Sequence, residues 1–249
     1  MDEVKLLEFM KINYATRKDM SQSVKLFQEI GYNVIKYFDI DGAQGYLTKK
    51  DDDIVLSFRG TQVSFTGINK TEKSDILADL NVCKEKESGG KVHAGFQKEA
   101  NKLWEAVAVE IAQHISGNKL FITGHSLGAG IATIVASRLQ DKVDTVITFG
   151  SPRVGDGDFV NHLKVKHFRV QNTNDYACFL PPLWMGFRHH GTNLYIDRIG
   201  NVQEISLIKK SKDMALSLIK DFKNGNYISA LNDHKPISYI NKLTSSQNH

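Results

Sequence analysis

With 249 residues, 41% hydrophobic and 24% charged, the chain has the balance of a soluble globular protein, which excludes wholesale disorder. No run approaches the roughly 18 apolar residues of a membrane-spanning helix, and two cysteines are too few for a disulfide framework. A net charge of +4, carried by scattered lysines with no long basic run, argues against nucleic acid as a partner. The same mild excess is compatible with transient contact with an anionic lipid surface. The opening MDEVKLLEFMKINYATRKDM has charges where a signal peptide needs an apolar centre. Cys83 and Cys178 could form one bridge but fit a reducing compartment better. The expectation is a cytoplasmic or otherwise soluble protein, with secretion after removal of a leader left open. No internal repeat or linker divides the chain, so residues 1–249 read as one domain.

In chain order, helices are predicted at about 2–15 and 20–30. Strands follow at Val34–Phe38, Gly45–Thr48 and Ile54–Phe58, separated by the turn signals DGAQG and KKDDD. These three make an antiparallel opening. Phe96, Ala100, Leu103, Val107, Ile111 and Ile115 recur at helical spacing, and Gly117 stops that helix. Then come strand Lys119–Thr123, helix Leu127–Leu139, strand Val143–Phe149, helix Gly157–Leu163 and strand Lys166–Gln171. Such alternation predicts an α/β fold, a mostly parallel sheet covered by helices. A hairpin around Gly200 and helices at about 211–223 and 233–243 complete the chain.

Gly124-His125-Ser126-Leu127-Gly128 fits the pattern G-x-S-x-G, with the strand before and helix after that the pattern requires. A serine on so sharp a turn takes a strained backbone, so the residues two before and two after must lack a Cβ. The turn lifts the Ser126 hydroxyl above the sheet and aims the first helical amides, that of Leu127 included, where an oxyanion would form. The bland alternative is a glycine-rich connection with an incidental serine. His125, beside the serine on the turn, is read as a packing residue.

A serine hydroxyl needs an imidazole to take its proton, and the imidazole needs a carboxylate to fix its tautomer. In this architecture the order is serine, acid, histidine, with the acid at the C-terminal end of a later strand. Asp175 stands there, just after strand Lys166–Gln171. Asp144 lies at the wrong end of its strand, while Asp156 and Asp158 open a helix, where acids act as caps. Of nine histidines, chain order disfavours five and His249 is set aside as terminal, which leaves His189, His190 and His234; His234, at the start of the last helix, is the best placed.

A series of stretches runs in order from IVLSFRGT (Ile54–Thr61) through DILADL (Asp75–Leu80), VHAGF (Val92–Phe96), GHSLGAG (Gly124–Gly130) and TFGSPRVGD (Thr148–Asp156). RVQNTNDYACFLPP (Arg169–Pro182), RHHG (Arg188–Gly191) and DHKPISYI (Asp233–Ile240) continue it. The series resembles the class 3 lipase family of α/β-hydrolases. The resemblance implies Ser126 as nucleophile, Asp175 as acid and His234, above His190, as base. It also implies Thr61 as the second oxyanion donor beside Leu127, Asp79 as a candidate to orient the Thr61 hydroxyl, and His93 as a packing histidine. A lid-like loop is expected at about 62–78. Between Thr61 and Asp75 it is polar, with Phe65 and Ile68 as the only large apolar residues, and Ile76 stands where the family usually has tryptophan. Such a loop is poorly suited to cover a long acyl groove.

The reading is therefore a serine hydrolase that cleaves carboxylic esters, a lipase or esterase acting on acylglycerol-type or other lipid esters. It requires no cofactor and no metal. The alternatives are a phospholipase or other specialised esterase and, from another class, a hydrolase-fold scaffold without turnover.

Overall fold

The computed structural model describes residues 1–60, 83–223 and 229–246, with Phe222 described by its backbone alone. The expected lid-like loop, with Thr61 and Asp79, lies outside the described residues.

Two capped helices open the chain. Asp2 accepts the amide of Lys5 to start α1 (Glu3–Ala15), and Asp19 accepts that of Gln22 to start α2 (Met20–Glu29). Strands β1 (Asn33–Ile40), β2 (Ala43–Lys50) and β3 (Asp53–Phe58) then run antiparallel. The turn between β1 and β2 uses Asp41 and Gly42, both at positive φ, as the DGAQG signal predicts.

An unpredicted feature follows: a separate hairpin of β4 (Lys84–Glu87) and β5 (Gly90–His93). Its strands, KEKE and GKVH, have too few apolar residues to show alternation. Next come α3 (Ala94–His114), β6 (Lys119–His125), α4 (Leu127–Arg138), β7 (Thr145–Phe149), α5 (Gly157–His162) and β8 (His167–Asn172). Asp156 caps α5 through the Phe159 amide, the role expected of it. Strands β9 (Thr192–Ile196) and β10 (Val202–Gln203) form the hairpin around Gly200. Three helices close the described chain: α6 (Leu207–Lys223), α7 (Ser229–Asp233) and α8 (Pro236–Ser246). The last helix expected at about 233–243 is α8, which starts about three residues later because Pro236 opens it; the short α7 precedes it unpredicted, and His234 sits in the joint between the two rather than at a helix start.

The eight strands of the main sheet lie in the order β1-β2-β3-β6-β7-β8-β9-β10. From β3 to β9 each pairing is parallel; two antiparallel pairings, β1 with β2 and β2 with β3, flank that block on one side and one, β9 with β10, on the other. Alternation along the strands divides the interior into two cores. Ile54, Leu56, Leu120, Ile122 and Val146 point to the face covered by α3, α4 and α5. Val55, Phe121, Ile147 and Phe149 point to the other, covered by α1, α2 and α8. There α1 and α8 also pack on one another. Each fully buried Leu, Ile or Phe contributes roughly 1.5–3 kcal/mol of transfer energy. Both faces must be covered because a parallel sheet this apolar has no side to offer water.

Candidate active site

Strand β6 ends at His125 and α4 begins at Leu127, so Ser126 makes the turn alone. Its backbone stands at φ 60° and ψ −126°, a conformation that a residue with a Cβ adopts only under strain. Surrounding bonds hold it there: the Ser126 amide donates to the Phe149 carbonyl at 3.1 Å, and its own carbonyl accepts from the Ala129 amide at 2.9 Å. The flanking glycines are required sterically. A Cβ at Gly124 would lie 2.1 Å from the Gly128 carbonyl oxygen, and one at Gly128 would lie 2.3 Å from that of Phe58.

Asp175 follows β8 and is fully buried. Its Oδ1 accepts from the Ala177 amide at 2.9 Å and pairs with His234 Nδ1 at 2.8 Å. On the other edge of the ring, His234 Nε2 lies 2.8 Å from Ser126 Oγ. An ionised carboxylate can only accept, so the neutral imidazole carries its proton on Nδ1 and leaves Nε2 free to accept from the serine hydroxyl. Ser126, His234 and Asp175, from three distant stretches of chain, thus form one continuous hydrogen-bonded chain.

Three further residues build this arrangement, and sequence reasoning gave none of them a part in it. Tyr239, fully buried on α8, donates to Asp175 Oδ2 at 2.5 Å, and its oxygen accepts from the Asn172 amide at 3.1 Å. Burial, then the Asp175 charge, pushes its phenol well up, so it remains a donor. His125 Nε2 bonds the carbonyl of His234 at 2.8 Å and so ties down the joint that carries the His234 ring. Gly150, at φ +54°, leaves the room that Asp175 and His234 occupy, since a Cβ there would lie 2.6 Å from Asp175 Oδ2 and 3.0 Å from His234 Nδ1. Tyr239→Phe is expected to leave a buried carboxylate oxygen and an amide unpaired. It should cost about 1–3 kcal/mol in chemical denaturation and lower kcat more than it raises KM.

The remaining candidates are engaged elsewhere. His189 Nε2 contacts the Cys178 carbonyl at 2.9 Å, and His190 Nδ1 lies 3.2 Å from His167 Nδ1. His93 Nδ1 accepts from the Gly95 amide and its ring stacks on Phe96, a packing role. Burial holds His125, His167 and His189 well below the ordinary histidine range and His93 down to about 4. Their unfolded values lie near 6.5, so the stability they contribute is complete above that pH. As pH falls the unfolded chain binds protons the fold refuses, and stability drops through the window from about 6.5 toward 4. The urea midpoint is therefore expected to fall between pH 7 and pH 5, with up to about 2 kcal/mol lost per fully buried histidine. An unchanged midpoint would contradict this.

Of the two expected oxyanion donors, Leu127 begins α4, where first-turn amides have no partner within the helix and face the positive end of its dipole. Thr61 lies outside the described residues. Its neighbour Gly60 lies against the elbow, with an added Cβ falling 2.6 Å from the His125 carbonyl oxygen and 3.5 Å from Ser126 Cβ.

The family model for class 3 lipases matches residues 55–185, from β3 past the acid. The chain belongs to the class 3 lipase family. Among curated relatives, secreted mono- and diacylglycerol lipase 1 of Fusarium solani is 32% identical over 161 residues, 58% of this chain and 44% of its own length. A lipase of Rhizopus niveus is 29% identical over 197 residues, covering 72% of this chain and 48% of its own. The chain thus spans about half the length of the curated relatives it matches. In three dimensions, lipase II from Rhizopus niveus superposes with a TM-score of 0.66 at 23% identity, covering 87% of this chain and 89% of that one. The shared architecture is the α/β-hydrolase fold of the class 3 lipases. No helix among the described residues is long and apolar enough to cross a membrane.

Proposed function

We propose that the protein is a serine hydrolase of carboxylic esters, a lipase or esterase acting on acylglycerols or related lipid esters. The observation that carries this is the chain from Ser126 Oγ through the His234 ring to Asp175, with both links at 2.8 Å. In this reading Ser126 Oγ attacks the ester carbonyl carbon as His234 Nε2 takes its proton. The oxyanion is held by the Leu127 amide and by Thr61. Collapse expels the alcohol, which leaves with the proton from His234. Water, deprotonated by the same nitrogen, then attacks the acyl-enzyme and frees the acid and the serine. Asp175 stays ionised throughout and stabilises the imidazolium. Losing one of two oxyanion donors commonly costs about 3 kcal/mol of transition-state binding.

The names of the relatives, a mono- and diacylglycerol lipase among them, support acylglycerols as the substrate class. Cys83 and Cys178 are both free thiols, which supports a cytoplasmic or other reducing location for this chain.

The test is labelling with a fluorophosphonate probe, followed by turnover of a series of esters of increasing acyl length alongside phospholipid vesicles. Labelling at Ser126 with release of fatty acid from acylglycerols is the expected result. Folded protein that neither labels nor turns over would instead be a scaffold, and preference for phospholipid would make it a phospholipase.

A further inference from the structure

Helix α6 is built inside out. Its inward face is polar: Lys210 Nζ donates to Gln171 Oε1 at 2.6 Å, Tyr195 Oη donates to Asp213 Oδ2 at 2.9 Å, and Ser217 is buried. Its apolar side chains point out instead, with Leu207 80%, Ile208 84% and Ile219 52% exposed, and Leu216 and Leu218 nearly as open. A surface helix normally buries that stripe, so the arrangement leaves an apolar face with no partner among the described residues.

The charges around the face say what covers it. Lys209, Lys212, Lys220 and Lys223 are all exposed, whereas both acids of the helix, Asp213 and Asp221, are turned inward and half-buried. Every exposed charged side chain on α6 is therefore a lysine. An apolar stripe rimmed by lysines suits an interface with acyl chains below and anionic headgroups at its margin. A protein partner of similar fit would need a dense acidic rim around an apolar groove, and a second copy of this basic face would repel.

The position suits such a role. Lys210 is bonded to β8 four residues before Asp175, and the Met214 carbonyl accepts from Asn174 Nδ2 at 3.4 Å, next to the acid. A second apolar projection follows Asp175 in the chain, at Leu183 and Trp184, the latter 84% exposed.

We infer that the outward face of α6 docks this protein on an anionic lipid surface, with Ile208 and Ile219 entering the acyl boundary and the four lysines lying at headgroup level. This rests on the lipid-ester reading of the site and names where the enzyme meets its substrate phase.

The test uses full-length protein carrying Ser126→Ala, so that vesicles survive, and co-sedimentation with phosphatidylcholine vesicles with and without phosphatidylglycerol. Binding is expected to rise with phosphatidylglycerol and to fall at least about tenfold in Ile208→Ser/Ile219→Ser. A lysine near an anionic surface contributes about a fivefold factor. Replacing Lys209, Lys212, Lys220 and Lys223 with Gln should therefore erase the preference for anionic vesicles. Circular dichroism checks the fold, and both variants alter only exposed side chains.

Vesicle binding that is absent, or that neither variant weakens, would overturn the inference. So would a dimer in sedimentation velocity without lipid that Ile208→Ser/Ile219→Ser dissolves, because the face would then serve self-association. The two readings fail separately. Fluorophosphonate labelling of unsubstituted protein without vesicle binding removes the docking surface alone, and vesicle binding without labelling removes the hydrolase alone.

Discussion

Ser126→Ala is expected to lower turnover of a short p-nitrophenyl ester by about 10⁵- to 10⁶-fold while leaving the protein folded. Without Oγ no acyl-enzyme can form, and His234 loses the only proton it is placed to take from the chain. What remains is catalysis by binding and oxyanion contacts, typically about 10³- to 10⁴-fold over water. Stability should change by less than about 0.5 kcal/mol, because the strained turn is held by backbone bonds to Phe149 and Ala129 that alanine keeps. The measurement is kcat together with a urea denaturation curve on one preparation, so that the loss of turnover is read from folded protein. Turnover near the unsubstituted rate would refute Ser126 as nucleophile.

Asp175→Asn should reduce kcat about 10⁴-fold for a different reason, loss of the carboxylate that fixes the imidazole tautomer and stabilises the imidazolium. All three of the bonds the carboxylate makes are accepted: from His234 Nδ1, from the Ala177 amide and from the Tyr239 hydroxyl. An amide group satisfies this set in neither orientation. With its NH₂ at the Oδ1 position it confronts the Ala177 N–H and drives the His234 proton to Nε2, where it blocks the serine. With its NH₂ at Oδ2 it keeps the His234 tautomer but leaves the buried Tyr239 hydroxyl with no acceptor and supplies no negative charge to stabilise the imidazolium. The loss is therefore expected in kcat with little change in KM, accompanied by about 1–3 kcal/mol of destabilisation from the orphaned group. Activity within tenfold of the unsubstituted protein would remove Asp175 from the proposed acid role.

How much of this was legible in the sequence depended on distance along the chain. The elbow could be read because its determinants, Gly124 and Gly128, are within two residues of Ser126 and the steric reason is local. Asp175 could be placed by topology, since acids that serve a parallel sheet must leave a strand at its C-terminal end. Chain position made His234 the best-placed base, and the family pattern was needed to set it firmly above His190, because a histidine in a joint has no periodicity. Tyr239 and His125 look like ordinary core residues in sequence; only their long-range contacts to Asp175 and to the His234 carbonyl give them a role. Gly150 falls within the TFGSPRVGD stretch, but its purpose is the space it leaves for two side chains that arrive later in the chain. Helix α6 is easily misread for a related reason: its pattern is amphipathic, and amphipathicity alone does not say which side faces in.

The packing of α1 against α8 has a consequence for how activity is lost. Ser126 belongs to the centre of the sheet, whereas His234 lies in the joint just before α8 and Tyr239 on α8 itself, which packs against α1. Opening of that outer helical layer is a smaller event than unfolding of the sheet, since it breaks no strand pairing. The working lifetime of the site is then set by the weaker of two cooperative units: a chain can keep its sheet and its strained serine yet fall silent because its terminal helices have parted.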